Sequence, residues 1–142
     1  MRVLFLCTGN SCRSQMAEGI GRSLAAPGVE VWSAGTRPVG VHPRARVVLA
    51  ERGIDTSTLR SKGLDDVPAD PELVVTLCDD AARTCPPFGD RTAVVHLPVD
   101  DPASATGSEE SVLAVFRSAR DEIEGRLRAL FAGRGLLRAE EA

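Results

Sequence analysis

The chain has 142 residues, a net charge of −3, 43% hydrophobic and 26% charged residues, an ordinary globular composition with length for one substantial core rather than two. It has no basic block, which excludes a general nucleic-acid binder, and no apolar run as long as a membrane span or a signal-peptide core. A cytoplasmic monomer with no membrane partner is expected, in which Cys7, Cys12, Cys78 and Cys85 are catalytic or metal-binding rather than structural staples.

The first predicted element is a short buried strand, Val3-Leu4-Phe5-Leu6, which stops at Cys7. A loop of small residues follows, Thr8-Gly9-Asn10-Ser11-Cys12, and then a helical pattern from about Ser14 to Ala25 carried by Met16, Ala17, Ile20 and Leu24. A strand, a small-residue loop and a helix in that order can gather backbone N–H groups and the positive end of the helix dipole around one oxyanion. Cys7 opens this loop and Arg13 closes it, so a thiol and a forked guanidinium face the same anion. A thiol beside an arginine and a helix N-terminus is in a setting that favours the thiolate, which makes Cys7 the candidate nucleophile. The plain alternative is an inert cysteine buried at a strand end.

Val29 to Ala34 alternates as a second strand, whose Trp32 reads as packing rather than as a substrate wall. A second helix follows with Pro43 in its first turn and Gly53 as its stop, and His42 reads as a cap-region or surface histidine rather than a general base. A short turn is expected near Leu64–Val67, and Leu73–Leu77 is a third strand, apolar and β-branched, that ends at Cys78. In an open parallel sheet, ligands gather at the carboxyl ends of strands, which puts Cys7 and Cys78 on one rim.

Residues 78–85 are polar and helix-compatible up to Pro86-Pro87. Cysteines seven positions apart on a helix are roughly 10 Å apart, whereas a disulfide needs Cα atoms within about 7 Å, so a Cys78–Cys85 bond would require the segment to unwind. Ala93–Leu97 is the fourth strand and delivers Asp100-Asp101-Pro102 to the same rim. Asp101, held extended by the following proline, is the candidate general acid, against the plainer reading of a solvated turn residue. Ser108 caps a last helix with a single apolar stripe from Val112 to Leu130, and residues 134–142 are expected to fray or dock loosely. Alternating strands and helices predict one α/β domain over 1–142, with a four-stranded parallel sheet and helices on both faces. The cysteine spacings lack the tight gaps of structural zinc sites, and no bound metal is expected.

CTGNSCRSQMAEG, Ser33-Ala34-Gly35, Thr76-Leu77-Cys78, Cys85 and Asp101-Pro102 together resemble the low-molecular-weight tyrosine phosphatase family, and within it the thioredoxin-coupled arsenate reductases. The resemblance implies strand order 2-1-3-4 and an arsenic-detoxifying conversion of arsenate to arsenite, with weak phosphatase activity on the side. It also implies catalytic roles for Cys7, Arg13, Asp101, Cys78 and Cys85, and a substrate loop of Thr8, Gly9, Asn10, Ser11, Cys12, Arg13 and Ser14. The three thiols Cys7, Cys78 and Cys85 then form a relay recharged by reduced thioredoxin, with no bound cofactor. One alternative is a tyrosine phosphatase of the same fold, although Ala103-Ser104 stands where such enzymes carry aromatic residues. Another is a non-catalytic thiol sensor or arsenite binder. Some family members hold a potassium ion with residues matching Asn10, Glu18 and Ser33 plus an acid; here Lys62 takes the acid's place, its ammonium can replace the ion, and no potassium dependence is expected.

Overall fold

The computed structural model describes residues 1–141. Four parallel strands, β1 (Arg2–Cys7), β2 (Glu30–Gly35), β3 (Leu73–Thr76) and β4 (Ala93–His96), lie in the order β2-β1-β3-β4, as the resemblance implied. The registers Leu6↔Ala34 and Leu6↔Thr76 align the carboxyl ends of β2, β1 and β3, so Cys7 and Cys78 emerge on one rim. β1 and β3 are apolar on both faces because both are covered: Val3, Phe5, Leu6, Val74 and Val75 are wholly buried.

Four helices flank the sheet: α1 (Arg13–Leu24), α2 (Pro43–Ala50), α3 (Asp79–Thr84) and α4 (Glu109–Gly133). α1 packs on β1, β2 and α4, α2 packs on α1 and α4, and the short α3 lies against β1 and β3. α4 starts where Ser108 Oγ accepts from Ser111 N at 3.1 Å, and its stripe of Val112, Phe116, Ile123, Leu127 and Phe131 is buried. α2 carries a proline in its first turn and is followed by Gly53 at φ 72°, the left-handed stop its sequence announces.

Of the two outcomes expected for residues 134–142, fraying or loose docking, residues 136–141 dock; residue 142 lies outside the described residues. Leu136 is buried, Leu136 O accepts from Ala26 N at 2.8 Å, Arg138 N donates to Leu24 O at 2.8 Å, and Arg128 pairs with Glu141. The segment satisfies the last carbonyl of α1, that of Leu24, and the amide of Ala26 just beyond it, which a solvated tail would leave to water. No helix among the described residues is long and apolar enough to cross a membrane.

Candidate active site

The loop from Cys7 to Arg13 is fixed from outside. The carbonyls of Cys7, Thr8, Gly9 and Ser11 accept from the amides of Thr36, Arg37, Val39 and His42 at 3.3, 2.8, 3.0 and 3.1 Å. Asn10 O accepts from Gln15 Nε2 at 3.2 Å. Because C=O and the next N–H of a trans peptide point in opposite directions, the amides of Thr8 to Cys12 are turned inward. Asn10, at φ 46°, supplies the left-handed step that makes such a row of amides concave. Gly35 is required beneath: a Cβ there would stand 2.6 Å from Thr8 O and 2.8 Å from Asn10 N.

The inward amides face a cavity of about 400 Å³ whose lining includes Cys7, Thr8, Arg13, Val39, His42 and Asp101. Arg13 is oriented by Nη1, which donates to Val99 O at 3.0 Å, and its Nη2 stands 3.7 Å from Asp101 Oδ2. Asp101 also caps the 3-10 turn Pro102–Ser104 by accepting from Ala103 N at 3.0 Å, which fixes the exposed carboxylate at the mouth. Asp100, one residue earlier, is exposed.

Behind Cys7 runs a chain of side-chain hydrogen bonds with a definite direction. Asn10 Nδ2 donates to Ser14 Oγ at 2.8 Å and to Ser33 Oγ at 2.9 Å, and Ser33 Oγ donates to Glu18 Oε1 at 2.7 Å. Ser14 Oγ, already an acceptor, has its proton free for Cys7 Sγ at 2.8 Å, the polarity that suits a sulfur anion. Glu18 is completely buried, with Lys62 Nζ 3.1 Å from Oε1 and Arg22 Nη1 2.9 Å from Oε2. Lys62 Nζ also donates to Arg60 O at 2.7 Å, and Lys62 N donates to Asn10 Oδ1 at 2.7 Å. These residues do not fit a potassium ion: an ammonium already stands against the carboxylate that would hold one. Asp66, near in sequence, instead accepts from Gly63 N at 3.0 Å.

The other cysteines differ in setting. Cys12 is buried, and burial first, then the charge of Asp101, pushes its thiol up to about 12, so it stays protonated. Cys78 is the N-cap of α3; its Sγ accepts from Ala81 N at 3.3 Å and lies 3.5 Å from Thr8 Oγ1. Cys85 is the C-cap of the same helix, half-buried, with its thiol held above the ordinary range by that burial. All four are free thiols. Cys7, Arg13 and Asp101 thus share one cavity, Cys78 touches its loop through Thr8, and Cys85 is one helix away.

His42 caps α2 as expected, Nδ1 accepting from Arg44 N at 3.1 Å, but it also lines the cavity, its ring 4.9 Å from Phe116. Gln15, buried, braces the loop by donating to Asn10 Oδ1 and Arg60 O. Neither role has a local sequence signal, since the partners come from distant elements.

Residues 2–141 match the family described as low molecular weight phosphotyrosine protein phosphatase. Proteins named arsenate reductase from Halalkalibacterium halodurans and Bacillus subtilis are each 46% identical over 127 residues, 89% of this chain and 91% of theirs. A thioredoxin-dependent arsenate reductase of Corynebacterium glutamicum has a similar structure, with a TM-score of 0.72 and 30% identity over 93% of this chain and 60% of that one.

Proposed function

The chain belongs to the low-molecular-weight phosphotyrosine protein phosphatase family, and from that premise we propose that it is a thioredoxin-recycled arsenate reductase serving arsenic detoxification. The observation that carries this reading is the pair Cys78 and Cys85 at the two ends of α3, with Cys78 against the loop that holds Cys7. A phosphatase needs Cys7, Arg13 and Asp101, but has no use for two further thiols in this placement.

Arsenate is held by the inward amides of Thr8 to Cys12 and by the Arg13 guanidinium, a planar donor suited to two oxygens of a tetrahedral anion. The Cys7 thiolate, stabilised by Ser14, attacks arsenic, and the displaced arsenate hydroxyl takes a proton from Asp101 and leaves as water. Cys78 attacks Cys7: a sulfur–sulfur bond forms, the sulfur–arsenic bond breaks, and its electron pair reduces arsenic as arsenite departs. Cys85 then attacks Cys78 and Cys7 leaves as thiolate, so the disulfide passes to Cys78–Cys85 with no further net oxidation. A dithiol such as reduced thioredoxin returns that pair to thiols. Burial of Cys85 in the helical state raises its thiol above the ordinary range, which disfavours the nucleophilic thiolate there.

The test is arsenate-dependent NADPH oxidation with thioredoxin and its reductase, run beside hydrolysis of p-nitrophenyl phosphate. Turnover in the parent that is lost in Cys78→Ser and in Cys85→Ser, with hydrolysis retained, is the expected result. Brisk hydrolysis without arsenate turnover would make the protein a phosphatase and overturn the relay.

A further inference from the structure

Cys78 sits in a turn that a single imidazole grips on both sides. Thr76 Oγ1 lies 2.8 Å from His96 Nδ1, and His96 Nε2 lies 3.1 Å from Asp79 Oδ1. Thr76 is buried and pairs with His96 in the β3–β4 register. The Asp79 carboxylate can only accept, so Nε2 carries the hydrogen of that bond, and in the neutral ring Nδ1 is then the acceptor for the Thr76 hydroxyl. One side chain of the edge strand therefore bonds the residue two before Cys78 and the residue after it. Neither His96 nor Asp79 has a part in the reaction steps above.

α3 has only six residues, far below the length at which an isolated helix is stable. Its helical form thus depends on its tethers: His96 holds Asp79 on one side and Thr8 Oγ1 donates to Asp80 Oδ2 at 3.0 Å on the other. The helical rise from Cys78 to Cys85 is about 10 Å, and a disulfide needs the Cα atoms within about 7 Å. The segment 79–84 must therefore give up its helical form when that bond forms, and Asp79, the residue after Cys78, is the point at which this segment is tied to β4.

We propose that His96 is a positioning residue for Cys78, holding the turn in its dithiol geometry through Thr76 and Asp79, and that the His96–Asp79 bond is broken when the Cys78–Cys85 disulfide forms. This rests on the thiol relay. In that exchange the Cys85 sulfur bonds to the Cys78 sulfur, the Cys7–Cys78 bond breaks, and Cys7 leaves with the electron pair, while the Cys85 proton passes to solvent. Because the His96–Asp79 bond exists only in the helical dithiol form, it favours that form over the disulfide. Its removal makes the disulfide easier to form and harder to reduce.

The experiment equilibrates the parent, Asp79→Ala, Asp79→Asn and His96→Leu in mixtures of reduced and oxidised dithiothreitol at fixed pH, reading the Cys78–Cys85 pair by alkylation and mass spectrometry. Asp79 is exposed, so its variants fold whether or not His96→Leu does. Half-oxidation of Asp79→Ala and His96→Leu is expected at an oxidant ratio about three- to tenfold lower than the parent's, the size of one hydrogen bond. Asp79→Asn keeps the accepting oxygen and stays near the parent, and p-nitrophenyl phosphate hydrolysis is unchanged throughout. Midpoints of parent and Asp79→Ala that coincide, or an Asn variant shifted as far as the Ala variant, would overturn the role of His96 while leaving the relay standing. Failure of the parent to form the disulfide at any ratio would bring down the relay and, with it, this role.

Discussion

Lys62 Nζ stands 3.1 Å from Glu18 Oε1, and the carboxylate it neutralises is the far end of the hydrogen-bond chain that runs through Ser33, Asn10 and Ser14 to Cys7 Sγ. A buried carboxylate left with one partner fewer is costly, on the order of 3 kcal/mol. Lys62→Ala is therefore expected to lower the melting temperature by several degrees and to weaken turnover. The parent's rate should be the same in potassium and in sodium, whereas the variant should regain part of its stability in potassium, read by thermal unfolding in matched chloride salts.

Gly35→Ala is expected to damage the loop rather than the sheet. The added Cβ would meet Thr8 O and Asn10 N at 2.6 and 2.8 Å, backbone atoms that move only if the amides turn away from the anion. The cost should be about 1–3 kcal/mol in stability and about 100-fold in kcat/KM. Urea unfolding and steady-state hydrolysis of p-nitrophenyl phosphate measure the two.

Cys12 should behave as a spectator. With its thiol raised to about 12 by burial, it resists iodoacetamide at neutral pH, and Cys12→Ser should keep the relay and its disulfide. Above pH 9 an unfolded chain sheds this proton while the folded one keeps it up to about pH 12, so stability falls across that window. The fall should be shallower in Cys12→Ser, measured by denaturant unfolding at stepped alkaline pH.

Asp101→Asn keeps the oxygen that accepts from Ala103 N but cannot protonate a leaving oxygen. Its kcat should fall by about 100- to 10,000-fold, with binding of phosphate as an inhibitor unchanged or tighter, because the negative charge beside Arg13 is gone. An unchanged kcat would remove Asp101 from the acid role.

His42 predicts a pH effect on stability. Burial, then the charge of Arg44, holds its imidazole below the ordinary 6.5, with Asp101 opposing. The unfolded chain takes the proton first as pH falls, so protonation favours unfolding: the contribution is full above pH 6.5 and is lost as pH falls through the lowered folded value. His42→Asn, which can still cap α2, should flatten the drop in melting temperature between pH 7 and 5.

How much of this could be seen in the chain itself depended on whether the relevant partners were local. β1, its loop and α1 are contiguous, so the placement of Cys7 and Arg13 on one cavity could be read directly from Val3–Leu6 and the residues that follow. The position of Asp101 at the same cavity was legible because a strand end and an Asp-Pro bond both act over a few residues. The placement of Cys78 beside the loop followed from two apolar strands that each end in cysteine, and β1 and β3 are indeed neighbours. His42 was read as a cap, which it is; that its ring also lines the cavity depends on Phe116 in α4, a contact no local pattern contains. Gln15 and His96 were passed over for the same reason, since their partners are set by loop closure and strand register. The end of the chain was left between fraying and loose docking because its anchor, the buried Leu136, and its partners at the end of α1 are set by the tertiary fold.

The docking of residues 136–138 along the far end of α1 also settles how this protein can be handled. α1 begins at the anion loop and runs 12 residues, about 18 Å, before it meets that segment. A fluorophore or immobilising linker carried on this segment, for instance at the exposed Glu140, therefore starts from the far end of α1, and a surface-attached preparation should present its cavity and α3 to solution unobstructed.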